Sequence, residues 1–349
     1  MIMEWYKDPR TDEGPIISSR VRLARNIKKY PFRSKLNEEQ AKNIVREVSE
    51  ALAVQQYKEI DPAQYSDIER RMFLEKHIVS REFVKNDLPK GLLLQDDFNV
   101  SVMINEEDHL RIQTLSPGDD ITASWEMANL IDDLIEESVE FAFDKEYGYL
   151  TACPTNAGTG MRASFMIHLP MLDKTGQLKN LTPAISKFGI AIRGIYGEGS
   201  EGMGGIFQIS NQVTLGKSEQ DIIQGLQSVT KNVIDKEHWL REKMHEKHGL
   251  DIENNIFRAY GVLTHSRKMT VKEAMDMLSE VRLGYSMGLL SLPKPKKSIY
   301  QIMMEIQPGH LLRVSGQEMD ETAQEISRAE YLQEAFKNTQ EDLTQEDLI

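Results

Sequence analysis

Four short segments combine arginine with carboxylates or with glycine turns. They are residues 18–22 (SSRVR), 105–111 (NEEDHLR), 153–162 (CPTNAGTGMR) and 193–198 (RGIYGE). The forked guanidinium of arginine suits phosphate oxygens, and glycine lets the backbone come close to an anion. Carboxylates in the same segments are the groups that would hold a cation. The combination indicates phosphoryl transfer to a cationic acceptor.

Five arginines in these segments are candidates for a clamp on a polyphosphate. Arg20 and Arg22 alternate along the chain, so on an extended strand both side chains project to the same side. Two arginines alone would more often belong to a solvent-exposed basic strand, but the other three segments reverse those odds. Arg111, Arg162 and Arg193 complete a set that could stabilise the charge on a transferred phosphoryl group.

Glu107 and Glu198 are the candidate groups for binding the acceptor. A guanidinium has a pKa above about 12 and is a poor nucleophile, so it must be aligned and must lose a proton. A pair of carboxylates can do both. An isolated glutamate in an arginine-rich region more often forms a structural salt bridge. Which of the two glutamates takes the proton stays open.

Composition excludes several classes of protein. Fifty-five acidic against 42 basic residues give a net charge of -13, which opposes non-specific binding to nucleic acid or to an anionic membrane. We find neither a membrane-spanning apolar run nor a signal peptide. The single cysteine, Cys153, excludes an intramolecular disulfide. We therefore expect a cytoplasmic protein.

The elements that must position these residues are mostly short strands with a few long helices. Helices are predicted at 37–57, with an Asn37–Gln40 capping box, at about 121–143 and at about 218–247. Strands are predicted at 100–104, 110–112, 164–169, 189–193 and 206–215. Adjacent strands without intervening helices favour an α+β fold with a largely antiparallel sheet flanked by helices.

Beyond about residue 260 the pattern changes to helices, at 271–283 and 321–336. We predict a catalytic domain at 16–255, a smaller helical domain at 256–338 and an acidic mobile tail at 339–349. Residues 197–202 match the dinucleotide fingerprint only formally, since acidic residues would face a pyrophosphate and a strand rather than a helix follows. No protein-kinase catalytic loop of the common fold is found.

In their order along the chain, the four segments resemble the motifs of the phosphagen (guanidino) kinase family, over roughly residues 16–250. Within that family the chain looks most like the McsB-type branch of protein arginine kinases. The first segment begins at residue 18, which leaves no room for the helical N-terminal domain of the small-molecule kinases. The resemblance implies the same α+β architecture.

The resemblance implies specific roles. Glu107 and Glu198 would bind the acceptor guanidinium, and Cys153 would lie beside it without essential chemistry, although a lone cysteine is more often a small buried hydrophobe. ATP would be bound by Ser18, Ser19, Arg20, Val21, Arg22, His77, Arg111, Arg162, Ala163, Ser164, Phe165, Met166, Arg193, Gly194, Ile195, Tyr196, Gly197 and Glu198. A generic histidine would more often be a surface or core residue than a ligand. Mg²⁺ would accompany ATP without a dedicated protein ligand.

Residues 324–329 (QEISRA) lie where many McsB-type enzymes carry an Arg-Asp-x-x-Arg-Ala motif that binds phosphoarginine and switches the enzyme allosterically. Only Arg328 and Ala329 match that motif. Arg328 is therefore the one remaining candidate for a phosphoarginine site. The partial match weakens the expectation that phosphoarginine controls this enzyme allosterically. The alternative is an ordinary helix face.

The sequence thus predicts an ATP-dependent kinase that phosphorylates arginine residues of proteins. The resemblance implies a bacterial stress response, with CtsR, McsA and ClpC as partners. A homodimer is possible, and the sequence leaves the oligomeric state open. A kinase for free arginine or another small guanidine is the second hypothesis. A non-catalytic adaptor that binds phosphoarginine or client proteins is the third, and the retained arginines and glutamates argue against it.

Overall fold

The computed structural model describes residues 4–55, 57–85, 88–196, 202–292 and 294–337. Its centre is an antiparallel sheet of eight strands in the order β2-β3-β4-β5-β1-β8-β10-β9 within the described residues. The strands are β1 Ile16–Arg25, β2 Lys58–Ile60, β3 Gly91–Leu94, β4 Val100–Ile104, β5 Leu110–Pro117, β8 Met161–His168, β9 Ile190–Tyr196 and β10 Gly202–Asn211, while β6 Phe143–Asp144 and β7 Gly148–Tyr149 form a separate ribbon. The predicted α+β fold is confirmed.

The helices of the described residues are α1 Glu38–Ala51, α2 Asp67–Glu75, α3 Ile121–Glu136, α4 Pro170–Lys174, α5 Leu178–Ser186, α6 Glu219–His265, α7 Val271–Ser286, α8 Ile299–Glu305, α9 Pro308–Ser315 and α10 Glu321–Lys337. Helix α1 begins with the predicted capping box, in which the Asn37 side chain accepts from the Gln40 N–H and Gln40 bonds back to the Asn37 backbone. In the C-terminal part, α7 and α10 correspond to the two predicted helices, and α8 and α9 were not predicted.

Alternation along the central strands gives the sheet two unlike faces. One face is apolar: Val21, Leu23, Ala163 and Phe165 are almost fully buried. Helix α3 packs on β1 and β5. Arg25 of β1 and Asp132 of α3 form a buried ion pair there, with Arg25 Nη2 lying 2.7 Å from Asp132 Oδ2. The opposite face carries Arg20 and Arg22.

A second, smaller core covers the β3–β4 side of that arginine-bearing face. Met72 and Phe73 of α2 pack there with Ile78, Leu92 and Met103. Further along the face, α7 packs on β10, and the hydroxyl of Tyr300 in α8 contacts Met166 of β8. The polar part of the sheet between these two coverings is the part left accessible.

Two predicted helices were wrong in extent. Helix α3 ends at Glu136 rather than near residue 143, because Ala142 donates its N–H to the Asn26 carbonyl and Phe141 pairs with Ile27. Pairing with the segment that follows β1 therefore overrides the local apolar periodicity. Helix α1 ends at Ala51 rather than at residue 57. The predicted helix at about 218–247 matches the first segment of α6, because His248 is non-helical (φ -136°, ψ 31°) and a second helical segment follows this kink to His265.

The predicted domain boundary at 255/256 falls inside α6, and the division stays a prediction. The predicted tail, 339–349, lies outside the described residues. Across the described ranges, no helix combines the length and apolar character needed to cross a membrane.

Candidate active site

The central strands bring the five candidate arginines to one face of the sheet. Directly opposite residues on antiparallel strands project to the same side. Arg22 of β1 lies opposite Arg162 of β8, and Ala24 of β1 lies opposite Arg111 of β5. Across the next two strands, Arg193 of β9 lies opposite Gln208 of β10. We call this surface the arginine face.

Arg20 connects the middle of the arginine face to β8 and β10. Its Nη2 donates to Gln208 Oε1 at 2.7 Å, and its Nε lies 3.4 Å from Ser164 Oγ. Gln208 is therefore placed between Arg20 and Arg193. Arg193 itself is exposed, which leaves the β9 end of the face open to solvent.

Positive charge is concentrated where β1, β5 and β8 adjoin. Burial, together with Arg20, Arg111 and Arg162, lowers the pKa of Arg22 well below its usual value. Burial also lowers the pKa of Arg162, with Arg193 and Arg111 adding to the effect. The Arg22 Nε is buried and has no hydrogen-bond partner among the described residues. An orphaned donor among several cations is what a bound polyanion would satisfy.

A cleft of about 160 Å³ opens beside this charge. The cleft contains three of the five arginines together with Glu107 and Cys153, two of the candidates for acceptor binding. Its lining residues are Arg22, Leu23, Ala24, Glu107, Arg111, Cys153, Thr155, Asn156, Gly160 and Arg162. The structure therefore brings three arginines that were predicted to bind phosphate, and two of the three predicted catalytic residues, to one place. Glu198, the third, lies outside the described residues together with Gly197.

Glu107 sits at the rim of the cleft in the connection between β4 and β5. Its side chain is 41% exposed, and one carboxylate oxygen is 3.4 Å from Arg111 Nη2. Burial raises the pKa of Glu107, Asp108 and Glu106 raise it further, and Arg111 opposes them. A carboxylate with a raised pKa holds a proton more readily than an ordinary glutamate does, as a general base must.

Glu106 fixes Arg111. It is fully buried, lies 2.8 Å from Arg111 Nη2, accepts a hydrogen bond from Ser80 Oγ, and also accepts from the Glu107 N–H at 2.7 Å. The ion pair to Arg111 therefore belongs mainly to Glu106, and Glu107 keeps an exposed edge.

Asn26 and Asp108 fasten the β4–β5 connection to the segment that carries Cys153. Asn26 Nδ2 donates to Asp108 Oδ1 at 2.6 Å and to the Leu150 carbonyl at 3.0 Å, while Asn26 Oδ1 accepts from the His109 N–H. Asp108 Oδ1 also accepts from the Ala152 N–H at 2.6 Å. Glu107 and Cys153 are thus held by one buried network. The Cys153 Sγ lies 3.0 Å from Thr155 Oγ1 and is partly buried.

His77 lies beside the arginine face, at a left-handed backbone position (φ 58°). Its carbonyl accepts from Gln113 Nε2 of β5 at 2.8 Å. Burial and the charge of Arg20 lower the pKa of His77 to about 3. The imidazole is therefore neutral near neutral pH.

Other predicted nucleotide-binding residues divide between the two faces. The alternation of β1 and β8 puts Ser18, Ser164 and Met166 on the side of Arg20. It puts Ser19, Val21, Ala163 and Phe165 on the apolar side, where Ser19 Oγ bonds to the Gly118 carbonyl. Gly194, Ile195 and Tyr196 belong to β9.

Arg328 lies on α10, apart from the cleft. It is 2% exposed, and its Nε and Nη1 donate to the carbonyls of Ile306 and Met269, each at 2.9 Å. These two bonds join α10 to the end of α8 and to the segment before α7.

Sequence reasoning missed the residues that position the predicted ones. Glu106 stands next to Glu107 in the same acidic run, and nothing in the run distinguishes the buried glutamate from the exposed one. Gln113 and Gln208, polar residues within apolar strands, were the available signal for the polar face. Among the residues described, no group of three His, Cys, Asp or Glu side chains is placed to hold a metal ion.

Comparison with known proteins gives the following likenesses. Residues 38–240 match the family ATP:guanido phosphotransferase, C-terminal catalytic domain, and residues 249–347 match the Protein-arginine kinase McsB C-terminal domain. The chain is 43% identical to the protein-arginine kinase of Caldanaerobacter subterraneus subsp. tengcongensis, over 92% of this chain and 96% of that protein. It is 40% identical to the protein-arginine kinase of Bacillus subtilis, over 99% and 96%.

Among solved structures, the duplicated taurocyamine kinase from Schistosoma mansoni with bound transition state analog components superposes with a TM-score of 0.61 at 28% identity. The match covers 68% of this chain and 35% of that chain, so this chain spans about a third of the duplicated kinase. Lombricine kinase superposes with a TM-score of 0.59 at 23% identity, over 69% of this chain and 70% of that one, which shows a shared fold.

Proposed function

Since the chain belongs to the ATP:guanido phosphotransferase family, we propose that it transfers the γ-phosphoryl group of ATP to the guanidinium of arginine residues in proteins. The observation that carries this proposal is the cleft in which Arg22, Arg111 and Arg162 meet Glu107. Cations that suit a polyphosphate and a carboxylate that suits a guanidinium line the same small space.

The arginine face would hold the phosphates. Arg20, Arg22, Arg111, Arg162 and Arg193 supply planar donor forks, and the orphaned Nε of Arg22 is a donor that phosphate oxygens would satisfy. Mg²⁺ would accompany the nucleotide and neutralise part of the phosphate charge. His77, neutral and beside Arg20, would approach the nucleotide without adding charge.

Glu107 would orient the acceptor and accept its proton. One guanidinium nitrogen attacks the γ-phosphorus, an N–P bond forms, and the bond from phosphorus to the bridging oxygen of ADP breaks. The proton leaves the nitrogen for a carboxylate, and the raised pKa of Glu107 suits that step. Glu198 is the second candidate carboxylate for this role. Cys153 would line the guanidinium site.

The relatives named protein-arginine kinase and the McsB-type C-terminal domain support a protein as the acceptor. By resemblance to that branch, we assign the enzyme to a stress response with CtsR, McsA and ClpC as partners. We further propose a cytoplasmic location, with a homodimer as one possible assembly. The single cysteine suits a reducing compartment. The predicted division into a catalytic domain and a helical C-terminal domain belongs to the same proposal.

The test is incubation with γ-labelled ATP and Mg²⁺, with a partly unfolded basic protein or free arginine as acceptor. We expect acid-labile label in the protein. Label in free arginine alone would support the small-guanidine alternative. Absence of transfer to both, with phosphoarginine-protein binding retained, would support the adaptor.

A further inference from the structure

A larger cavity lies apart from the arginine face. Its volume is about 630 Å³, and it shares no lining residue with the cleft at Glu107. It opens where residues 9–15, which lead into β1, meet helices α6 and α7 and the segment before α8. The residues that matter for its chemistry are Asp12, Arg241, Arg282, Tyr285, Lys294 and Lys296.

Two buried arginines in this cavity are held rigidly, and each has one guanidinium nitrogen without a partner. Arg282 is 4% exposed, and its Nη2 donates to the carbonyls of Thr11 at 2.7 Å and Gly14 at 3.0 Å. Arg241 is 7% exposed, and it donates from Nε to Glu237 at 2.8 Å and from Nη1 to Ser286 Oγ at 3.1 Å. Arg282 Nη1 and Arg241 Nη2 have no hydrogen-bond partner among the described residues.

The residues that line the cavity are more basic than acidic, although Arg241 is paired with Glu237 and Arg282 with Asp12. The lining contains Arg241, Arg282 and three lysines (294, 296 and 297) against Asp12 and Glu13, in a chain whose net charge is -13. Asp12 is already engaged, because it lies 3.4 Å from Arg282 Nε and accepts from the backbone N–H groups of Ile299 and Tyr300.

Two other titratable groups at the cavity, Lys297 and His168, already have partners. Lys297 pairs with Glu305 at 2.7 Å, so that carboxylate is engaged as well. His168, at the end of β8, bonds to Ser279. Burial, together with Arg282 and Arg241, lowers the pKa of His168 well below its usual value, so it stays neutral.

We propose that this cavity is a second anion site, which takes a small ligand carrying a phosphoryl group. The unpartnered nitrogens of Arg241 and Arg282 would donate to its oxygens, because fixed guanidinium forks suit tetrahedral oxyanions. Cavities of several hundred Å³ are typical of small-molecule sites, so there is room for an organic part beyond the phosphate. Tyr285 and Pro295 would contact that part.

The site does not depend on the proposed kinase activity. A ligand there would bind residues 9–15, which lead into the strand of Arg20 and Arg22, to helices α6 and α7. Binding should therefore raise the melting temperature by mass action.

The test is titration of the full chain with inorganic phosphate and with phenyl phosphate, in the presence of a saturating non-hydrolysable ATP analogue that occupies the arginine face. Heat of binding and melting temperature are the readouts. We expect saturable binding that Arg241→Gln weakens about tenfold or more, since it removes charge-assisted hydrogen bonds. Lys294→Gln should weaken it less, and both variants should retain kinase activity.

Lys243→Gln is the matched control, because Lys243 lies on the same helix, pairs with Glu246 at 2.6 Å and does not line the cavity. If circular dichroism shows that Arg241→Gln is unfolded, the rim double variant Lys294→Gln/Lys296→Gln decides. Tighter binding of phenyl phosphate than of inorganic phosphate would identify a phosphomonoester as the ligand, and equal binding would identify free phosphate. No saturable binding to the wild type, or equal binding to the wild type and the cavity variants, would overturn the proposal.

Discussion

At the scale of single residues, the decisive contrast is between two adjacent glutamates. Glu106 is fully buried and is paired with Arg111 at 2.8 Å, whereas Glu107 is 41% exposed at the mouth of the cleft. Glu106, the buried neighbour, forms the structural salt bridge to Arg111. Glu107 is thereby left with an edge that an incoming cation can use.

Glu107→Gln should therefore reduce arginine phosphorylation by about 100-fold or more, the scale of a positioned acid-base group. Nucleotide affinity should be retained, because the arginine face is unchanged. In the wild type, the acidic limb of kcat/KM should lie at higher pH than for an ordinary glutamate, because the pKa of Glu107 is raised. Turnover close to wild type would show that the proton goes elsewhere.

The same variant has an expected effect on stability. A carboxyl group with a raised pKa in the folded state favours folding below its unfolded pKa, and that contribution is lost as the pH rises through the folded pKa. At neutral pH, the free energy of unfolding of Glu107→Gln should thus equal or exceed that of the wild type. Denaturant titration at two pH values measures this.

We expect Cys153 to affect activity through the space that its side chain occupies in the cleft rather than through its thiol chemistry. It lines the cleft with Glu107 and Arg162, and its Sγ contacts Thr155. Cys153→Ser should retain measurable activity, while a bulky thiol reagent should block the wild type by filling the space of the guanidinium. The reagent should have no effect on Cys153→Ser. Full activity after complete modification would place the thiol away from the acceptor.

At the scale of elements, the site depends on the connection between β4 and β5 being fixed to the segment before β8. Asn26 and Asp108 provide that attachment through hydrogen bonds of 2.6 to 3.0 Å. Neither Asn26 nor Asp108 lines the cleft, whereas Glu107 does. Their contribution is to hold Glu107 and Cys153 in one arrangement.

Asn26→Ala should lower the free energy of unfolding by about 2 to 4 kcal/mol, because it leaves buried polar groups without partners. It should also lower kcat, since the rim of the cleft loses its attachment. Asn43→Ala is the matched control, because Asn43 lies on α1 and its side-chain oxygen accepts a hydrogen bond from the exposed Arg46. Urea titrations and initial rates of both variants check this, and equal losses would contradict the positioning role.

The strands were largely predictable because their apolar alternation reports burial on one face. The 100–104 strand was predicted as it stands, and Arg20 and Arg22 were expected to share a side, as they do. The end of α3 was not predictable, because the pairing of Phe141 with Ile27 is long-range. Likewise, the burial of Glu106 depends on Ser80 and Arg111, which approach it only in the folded chain.

At the scale of the whole molecule, charge is distributed unevenly. The chain carries a net charge of -13, yet five arginines are gathered on one face of the sheet. The surrounding negative charge would attract basic protein acceptors, while the arginine face attracts the nucleotide.

Phosphorylation of a basic protein should therefore slow as ionic strength rises, since exposed charges interact weakly beyond about 10 Å at 0.1 M salt. The measurement is kcat/KM against salt concentration for a basic acceptor, with an acidic acceptor of similar arginine content as the control. The acidic acceptor should be slower at low salt and less sensitive to salt. Identical salt dependence for both would argue against electrostatic steering.

Helix α6 consists of two helical segments that meet at a kink at His248. At about 1.5 Å per residue, the segment before His248 is about 44 Å long and the segment after it about 26 Å long. Helix α6 packs with α4, α7, α10, β8 and β10, and Leu226 and Ile256 are buried on either side of His248. Because both segments bury residues in the same large hydrophobic core, melting of either segment would remove packing contacts from the other. We therefore expect cooperativity across the predicted boundary, with the sheet and the C-terminal helices losing structure in a single calorimetric transition.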